Sequence, residues 1–468
     1  MKATIRTGGE LLVAALMSAC ATAPPQLEPI MPAPRHWNAP LPHGGDAEAV
    51  REWWSHFDDP LLPELVQAAE ASSPTLAEAV ARIRQARAAL VETRAAGLPV
   101  VNGSASAQRS KSLQLGNQTT GAVGVDASWE TDLFGAVRHS TAAAAARAEA
   151  SSLQWHDARV SLAAEVGQSY AGLRACEALA AVYEQEAQSQ GRTAELTRER
   201  VRVGFEAPAS GSLADAGAAD SASRWSAQRG ECAVALQGLV MLTGVSTDAL
   251  ANLLQSRTAQ LPQPSQLRVD EVPAQVLTQR PDIAAAQRML TAAASEISAA
   301  EAQRLPVFGL AGSVALAAAR AGGFAIDTLT WSLGATVAVP LVDGGRRAAA
   351  VDAARGRYDE ARARFEQTAR AAVREVEEAL IRLDSARNRE ADAERAARGY
   401  REYFAAAESR WQVGSGNLLD MEEARRLALA AEAGLIGVQR ERVSAWISLY
   451  KAVGGGWEMG LAGPASTR

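Results

Sequence analysis

The sequence predicts a mixed α/β membrane protein that is mostly α-helical, with long coiled-coil helices, four membrane-spanning β-strands and an internal duplication. Three observations predict it: a long internal repeat, paired stretches of alternating hydropathy, and two very long proline-free helical segments. The repeat comes first. Ser73-Pro74-Thr75-Leu76 and Leu98-Pro99-Val100 recur as Arg280-Pro281-Asp282-Ile283 and Leu305-Pro306-Val307, about 207 residues on. The register persists, since Leu133, Arg138 and Arg147 match Leu341, Arg346 and Arg355. Farther along, Val203-Gly204 matches Val413-Gly414, and Gly244 matches Gly454. A repeat this long is one large structural unit duplicated, not a short solenoid module. Each unit reads strand, strand, very long helix, and neither can bury its own apolar face.

The strands follow from period-two patterns. Val123, Val125, Ala127 and Trp129 interleave with Gly124, Asp126, Ser128 and Glu130, and Val101 to Gln108 alternates more weakly. In the second unit Phe308, Leu310, Gly312, Val314 and Leu316 form one face, and Leu333, Ala335, Val337 and Val339 another. The predicted strands lie at about 99–110, 121–132, 306–318 and 329–341, and 9–11 residues cross a membrane when tilted. The polar and glycine-rich segments 111–121 and 320–328 are expected to be external loops. A soluble sandwich shows the same alternation, so the count matters more. Four strands cannot close a transmembrane barrel, whose minimum is about eight, and an open edge in lipid is not tolerated. A membrane barrel built from these strands must be shared between chains.

The helices point the same way. Leu61 to Ala96 reads as a helix ended by Leu98-Pro99. Ala142 to Arg202 and Ala348 to Trp411 contain no proline, and at 1.5 Å per residue each is about 90–100 Å long. In the second, Tyr358, Ala361, Phe365, Ala369, Ala372, Val376, Ala379, Leu383 and Ala386 repeat every three or four positions, a coiled-coil seam. Each long helix stops at a Val-Gly turn, after which Leu213 to Leu242 and Leu418 to Val453 return. Gly454-Gly455-Gly456-Trp457 then ends the second return helix.

Composition narrows the function. The 468 residues carry a net charge of −6, which gives no electrostatic case for nucleic acid. Beyond the N-terminus no run approaches the length of a transmembrane helix. The N-terminus is a targeting segment: Lys2 and Arg6 precede an apolar stretch from Leu11 to Met17, and Met17-Ser18-Ala19-Cys20 resembles a lipoprotein cleavage box. Cys20 is read as a lipid-bearing anchor residue on the outer membrane, the alternative being a secretory signal with an incidental cysteine. One lipid site holds a protein weakly, so it supplements another attachment. The expected organisation is a signal peptide at 1–19, a lipidated, proline-rich tether at 20–48, repeats at 49–265 and 266–457, and a tail at 458–468. The remaining cysteines, Cys176 and Cys232, have their sequence midpoint at the Val203-Gly204-Phe205 turn. Two antiparallel helices joined there place them side by side. A disulfide in an oxidising compartment and two buried free thiols are both open.

No catalytic constellation competes. There is no phosphate-binding loop and no nucleophile elbow. His36, His43, His56, His139 and His156 have no metal-ligand spacing, so no cofactor is expected. Trp53 and Trp54 are read as packing residues.

The chain resembles the outer membrane factor (TolC-like) family, most closely its NodT/OprM-type efflux lipoprotein branch. The carriers are Trp54-x-x-Phe57-x-Asp59-Pro60-Leu61, Trp129-Glu130-x-Asp132-Leu133-Phe134-Gly135, Pro340-Leu341-x-Asp343-Gly344-Gly345 and Leu449-Tyr450-Lys451-Ala452-Val453-Gly454-Gly455-Gly456-Trp457. The resemblance implies a homotrimer with a shared twelve-strand barrel and a hollow periplasmic cylinder of helices. It implies the passive exit duct of a tripartite efflux pump for small molecules, with a periplasmic adaptor and an inner-membrane transporter, expected to be proton-driven and of the RND type. The channel of a type I protein secretion system is the alternative, and a soluble periplasmic adaptor a structurally distinct one. Val203, Gly204, Phe205, Val413, Gly414 and Ser415 match the family's adaptor-docking tips, and the first tip, Glu206 to Ser212, reads as longer than usual. Asn417-Leu418-Leu419-Asp420-x-x-Glu423-Ala424 fits the periplasmic gate: Leu419 on the apolar constriction, Asp420 and Glu423 on acidic rings. Solvated surface acids are the alternative for the last two. The basic residue that many relatives carry shortly after the tip glycine is Gly416 here.

Overall fold

The computed structural model describes residues 53–112, 116–264, 280–321 and 324–455. Cys20, the tether, Trp457 and the tail lie outside the described residues. The chain orders as helices α1 (Leu61–Ser72) and α2 (Pro74–Ala95), strands β1 (Val100–Ser112) and β2 (Gly116–Thr131), and helices α3 (Ala136–Arg202), α4 (Pro208–Thr243) and α5 (Thr247–Leu254). The second half gives α6 (Pro281–Ala302), β3 (Val307–Ala321), β4 (Phe324–Ala338), α7 (Arg346–Gln412) and α8 (Leu418–Ala452). Helices α3 and α7 have 67 residues each, so each is about 100 Å long. No single helix among the described residues is long and apolar enough to cross a membrane.

Among the described residues two compact units emerge, one from 80–153 and 284–367, the other from 53–79, 154–264, 280–283 and 368–455. The first holds one antiparallel sheet in the order β1-β2-β3-β4. Its register decides the faces. Val123 pairs with Leu316 and Val125 with Val314; Leu316 pairs in turn with Leu329 and Val314 with Trp331. The apolar rows of both repeats therefore merge into one continuous face. The other face is small and polar: Asn102 opposes Asp126, Asp126 opposes Ser313 and Ser313 opposes Ser332. Asn102 Nδ2 donates to Asp126 Oδ2 at 3.2 Å, and the Ser313 and Ser332 hydroxyls lie 2.8 Å apart. Among the described residues β1 and β4 each leave one edge unpaired.

The strands are longer than expected, at 13, 16, 15 and 15 residues. Segments 111–121 and 320–328 are not simply loops, because the ladders run through most of them. Ser112 still faces Gly116 and Ala321 faces Phe324. Once two strands are paired, adding a rung costs little, so polar residues continue a ladder they would not start. Val339 lies beyond the end of β4.

The predicted Leu61–Ala96 helix is two helices. Pro74 has no N–H to donate and forces Ser73 into an extended conformation (φ −65°, ψ 118°), which breaks the ladder. Ser73 Oγ then accepts from Leu76 N at 3.3 Å and caps the new start. The long helices begin earlier than hydropathy indicates, for a related reason. Asp132 accepts from Val137 N (3.0 Å) and Arg138 N (2.8 Å), and Asp343 from Gly345 N (3.0 Å) and Arg347 N (3.2 Å). An aspartate just ahead of each long helix thus caps α3 and α7. The seam of α7 is buried from Phe365 to Ala386, with Tyr358 and Ala361 half-buried.

The second unit's core packs Trp53, Trp446 and Tyr450 with ring centroids 5.7 Å from Trp53 to each. Trp54 stacks on Phe57 at 6.0 Å, so both tryptophans are packing residues. Asp59 Oδ2 accepts from Tyr170 Oη at 2.6 Å while Oδ1 accepts from Leu61 N at 3.0 Å. Burial, then the bond to Asp59, pushes the Tyr170 phenol well above its ordinary range. Cys176 on α3 and Cys232 on α4 are joined in a disulfide with Cα atoms 5.5 Å apart. Gln228 Nε2 donates to Cys176 Sγ at 3.0 Å. The bridge closes a 56-residue separation, worth about 4 kcal/mol in the chain-entropy model. Cys176→Ser with Cys232→Ser is expected to lower the urea midpoint accordingly, and an unchanged midpoint contradicts that contribution.

Candidate functional site

The two Val-Gly turns are built alike. Gly204 (φ +81°) and Gly414 (φ +79°) take the left-handed conformation that glycine adopts without steric cost. Phe205 N donates to Arg200 O at 2.8 Å and Gly204 N to Val201 O at 3.1 Å. Ser415 N donates to Arg410 O at 2.9 Å and Gly414 N to Trp411 O at 3.0 Å. Both sets are the paired bonds of a Schellman stop. Val203 is 54% exposed, Phe205 84% and Val413 77%, so apolar side chains stand outward at both turns.

The first turn is no longer than the second. Pro208 opens α4 four residues after Gly204, just as Leu418 opens α8 four residues after Gly414. Proline at N1 loses nothing by lacking its N–H and holds φ ready for a helix, so most of Glu206–Ser212 is helical. Gly416 is packed against the end of α7: a Cβ there would come within 3.2 Å of Trp411 N and 3.3 Å of Arg410 Cβ.

One arginine ties the turns together. Arg200 Nη2 donates to Trp411 O at 3.0 Å and Gln412 O at 2.9 Å, satisfying terminal carbonyls of α7. Its guanidinium lies 4.5 Å from the Trp411 ring centroid, a cation–π contact. Trp411 is buried with Ala194, Ala214, Leu418 and Met421.

The start of α8 divides into two faces. Leu418, Met421, Ala424 and Arg425 are buried, whereas Leu419, Asp420 and Glu423 are exposed. Asn417 Oδ1 accepts from Asp420 N at 2.7 Å and its Nδ2 donates to Asp420 Oδ2 at 2.8 Å. This cap sets where α8 starts and hence which way Leu419 points. Arg426 Nη2 and Nε donate to Glu423 Oε1 and Oε2 at 2.6 and 3.0 Å. Those bonds hold the Glu423 carboxyl below the usual carboxylate range. On the opposite side, Arg425 Nη1 donates to Glu422 Oε1 at 2.6 Å and Nη2 to Thr193 Oγ1 at 2.8 Å. Gln190 Nε2 donates to Glu422 Oε2 at 2.6 Å. A polar network thus fixes α8 to α3 while the Leu419–Asp420–Glu423 face stays free.

Sequence reasoning missed Arg200, Arg425 and Arg426. Arg426 was findable, three residues after Glu423 on a helix. Arg425 carries the same signal through Glu422 three residues before it, but its bond to Thr193, like those of Arg200, joins residues more than two hundred positions apart in the chain. Among the described residues no group of three or more His, Cys, Asp or Glu is placed to hold a metal ion.

The outer membrane efflux protein family model matches residues 65–245 and again 272–455, once for each repeat. This chain belongs to that family. It is 30% identical over 465 residues to the outer membrane protein OprJ of Pseudomonas aeruginosa, covering 96% of both chains. It is 29% identical to the pyoverdine export outer membrane protein OpmQ of the same species, covering 96% of this chain and 97% of that one. Among solved structures it is similar to the outer-membrane channel OprN, at 27% identity and a TM-score of 0.82 over 93% of this chain and 99% of that one. The chain is an outer-membrane channel protein of the efflux type, with a duplicated, mostly helical fold.

Proposed function

We propose that this chain is the outer-membrane exit duct of a tripartite efflux pump, assembled as a homotrimer. Three four-stranded sheets close one twelve-strand barrel, and α3, α4, α7 and α8 of each chain build the periplasmic wall. One observation carries this reading: a sheet apolar on one face and polar on the other, with both outer edges open. In lipid such edges must be paired, and copies of the same chain can supply the partners.

The two turns serve as adaptor-docking tips, through Val203, Gly204 and Phe205 at the first and Val413, Gly414 and Ser415 at the second. Their matching geometry supports a partner that meets both in the same way. Leu419, Asp420 and Glu423 form the periplasmic gate, on the one face of α8 left free of the network to α3. Cys20 carries the lipid anchor, and the inner-membrane partner is a proton-driven pump of the RND type. Conduction is passive, and no step is catalysed. OpmQ is a pyoverdine export protein, which supports small molecules as the cargo in preference to secreted proteins.

The purified protein is expected to run as a heat-modifiable oligomer from the outer-membrane fraction and to give discrete conductance steps in planar bilayers. A preparation that is outer-membrane-free and never conducts contradicts the proposal.

A further inference from the structure

The polar network that fixes α8 to α3 borders a cavity of about 170 Å³ walled by α3, α7 and α8. Its lining mixes apolar and charged side chains. Val182 on α3, Phe404 on α7 and Leu429 on α8 supply the apolar part. The Arg425 guanidinium lies 5.1 Å from the Phe404 ring centroid, a cation–π contact that holds the ring in place. The charges in and around the wall are matched pair by pair. Arg224 Nη2 donates to Glu186 Oε1 at 3.1 Å, Arg401 Nε to Glu432 Oε1 at 2.7 Å and Arg425 Nη1 to Glu422 Oε1 at 2.6 Å. Two buried polar atoms of the lining are left over. The Glu186 side chain is 7% exposed, and its second oxygen, Oε2, has no hydrogen-bond partner. The Arg425 side chain is 4% exposed, and its Nε has none either. Buried charged groups short of a hydrogen bond are costly. One of these atoms lacks a donor and the other lacks an acceptor.

We propose that this cavity binds a small neutral aromatic molecule carrying one hydroxyl, a phenol in chemical class. Size, charge and hydrogen bonding each select it. An engineered apolar cavity of about 150 Å³ takes benzene, so this one admits a single ring with one substituent. The three ion pairs leave no surplus charge in the wall, and a charged guest would be desolvated there without a counter-charge of its own. A hydroxyl both donates and accepts, so it supplies what Glu186 Oε2 and Arg425 Nε each lack. An ammonium cannot accept and a carboxylate cannot donate. The ring then covers Val182, Phe404 and Leu429. Such a guest meets α3, α7 and α8 at once, so its binding braces the first turns of α8 and stabilises the folded chain. Every lining residue belongs to one chain, and the site therefore stands apart from the exit-duct reading.

The test is fluorine NMR of 4-fluorophenol with the detergent-purified full chain, read against detergent alone. Saturable binding of one molecule per chain is expected, with a rise in the thermal midpoint. Fluorobenzene has the ring without the hydroxyl and should bind at least about tenfold more weakly. The charged analogues 4-fluorobenzylammonium and 4-fluorobenzoate should be weaker by a similar factor, about tenfold or more. This series uses the unaltered protein, so it decides the matter whatever any variant does. Leu429→Trp fills the cavity from a half-buried position and should abolish binding while circular dichroism shows the helices retained. A wild type that binds 4-fluorophenol no better than detergent does overturns the proposal. So does fluorobenzene binding as tightly as 4-fluorophenol, or binding that survives in a folded Leu429→Trp.

Discussion

Replacing Asp420 and Glu423 together by alanine is expected to raise single-channel conductance several-fold. Both side chains stand on the exposed face at the start of α8, beside Leu419, which is 68% exposed. In the proposed trimer each would have two copies facing it across the bore, and the double change would remove six carboxylates from the proposed gate. On the proposed gate reading, cations shared between facing carboxylates would hold the ring together, and the double change would remove that bridging. Asp420 also places negative charge in the first turn of α8, where it is favoured by the helix dipole at about 0.3–1 kcal/mol. Its removal loosens the cap as well. Glu423 is held below the usual carboxylate range by its hydrogen bonds to Arg426. Its stabilising pair is therefore present above the ordinary carboxylate pKa and is lost only as pH falls through the depressed one. Acidification to mildly acid pH should leave the Glu423 ring charged in the wild type, whereas Arg426→Ala moves its titration upward. Unchanged conductance in the double variant contradicts the gate assignment.

A large stability effect is expected at Arg280. This side chain is 6% exposed and meets Asp282 at 2.7 Å, Glu375 at 2.9 Å and the Ala452 carbonyl at 2.9 Å. It therefore joins the start of α6, the middle of α7 and the end of α8. The Gly454 stop packs on it, since a Cβ there would come within 3.3 Å of Arg280 Cα. Burial, and next the charge of Asp282, raises the Asp157 carboxyl above its ordinary range, and Arg280 offsets part of that rise. Arg280→Met keeps volume but leaves the acids without their cation. Breaking a buried pair costs about 3–5 kcal/mol, and the lower end applies because Glu375 is more than a third exposed. The sign with pH follows from linkage. An acid whose pKa is raised on folding favours the folded state at low pH and loses that contribution as pH rises through the folded value. With Arg280 gone Asp157 rises further, so the deficit should be larger at pH 7 than near pH 5. Urea unfolding at both pH values checks this, and a pH-independent deficit contradicts it.

Sequence alone carried the architecture because periodicity and repetition are local signals. The α7 seam, the period-two faces and the glycine stops each depend on neighbours within a turn or a strand. Sheet register is different. The merger of the Phe308–Leu316 row with the Leu333–Val337 row needs the β3–β4 pairing, which no single segment encodes. The Pro74 break was legible, since proline after Ser73 removes a helix bond whatever the tertiary setting. The first tip was misjudged for a local reason too: Glu206–Ser212 looked loop-like, yet Pro208 is a helix starter. The exposed Leu419–Asp420–Glu423 face of α8, proposed as the gate, was readable as a motif, but not what makes it a face. That depends on Arg425 reaching Thr193 and on Gln190 reaching Glu422, contacts between distant parts of the chain.

The central claim is that no single chain closes its own sheet and that three chains close one bore. Native mass spectrometry of the detergent-purified, unheated protein tests it most directly. The account predicts one dominant species of three chains that collapses to single chains on heating. A folded, conducting monomer or dimer would contradict it.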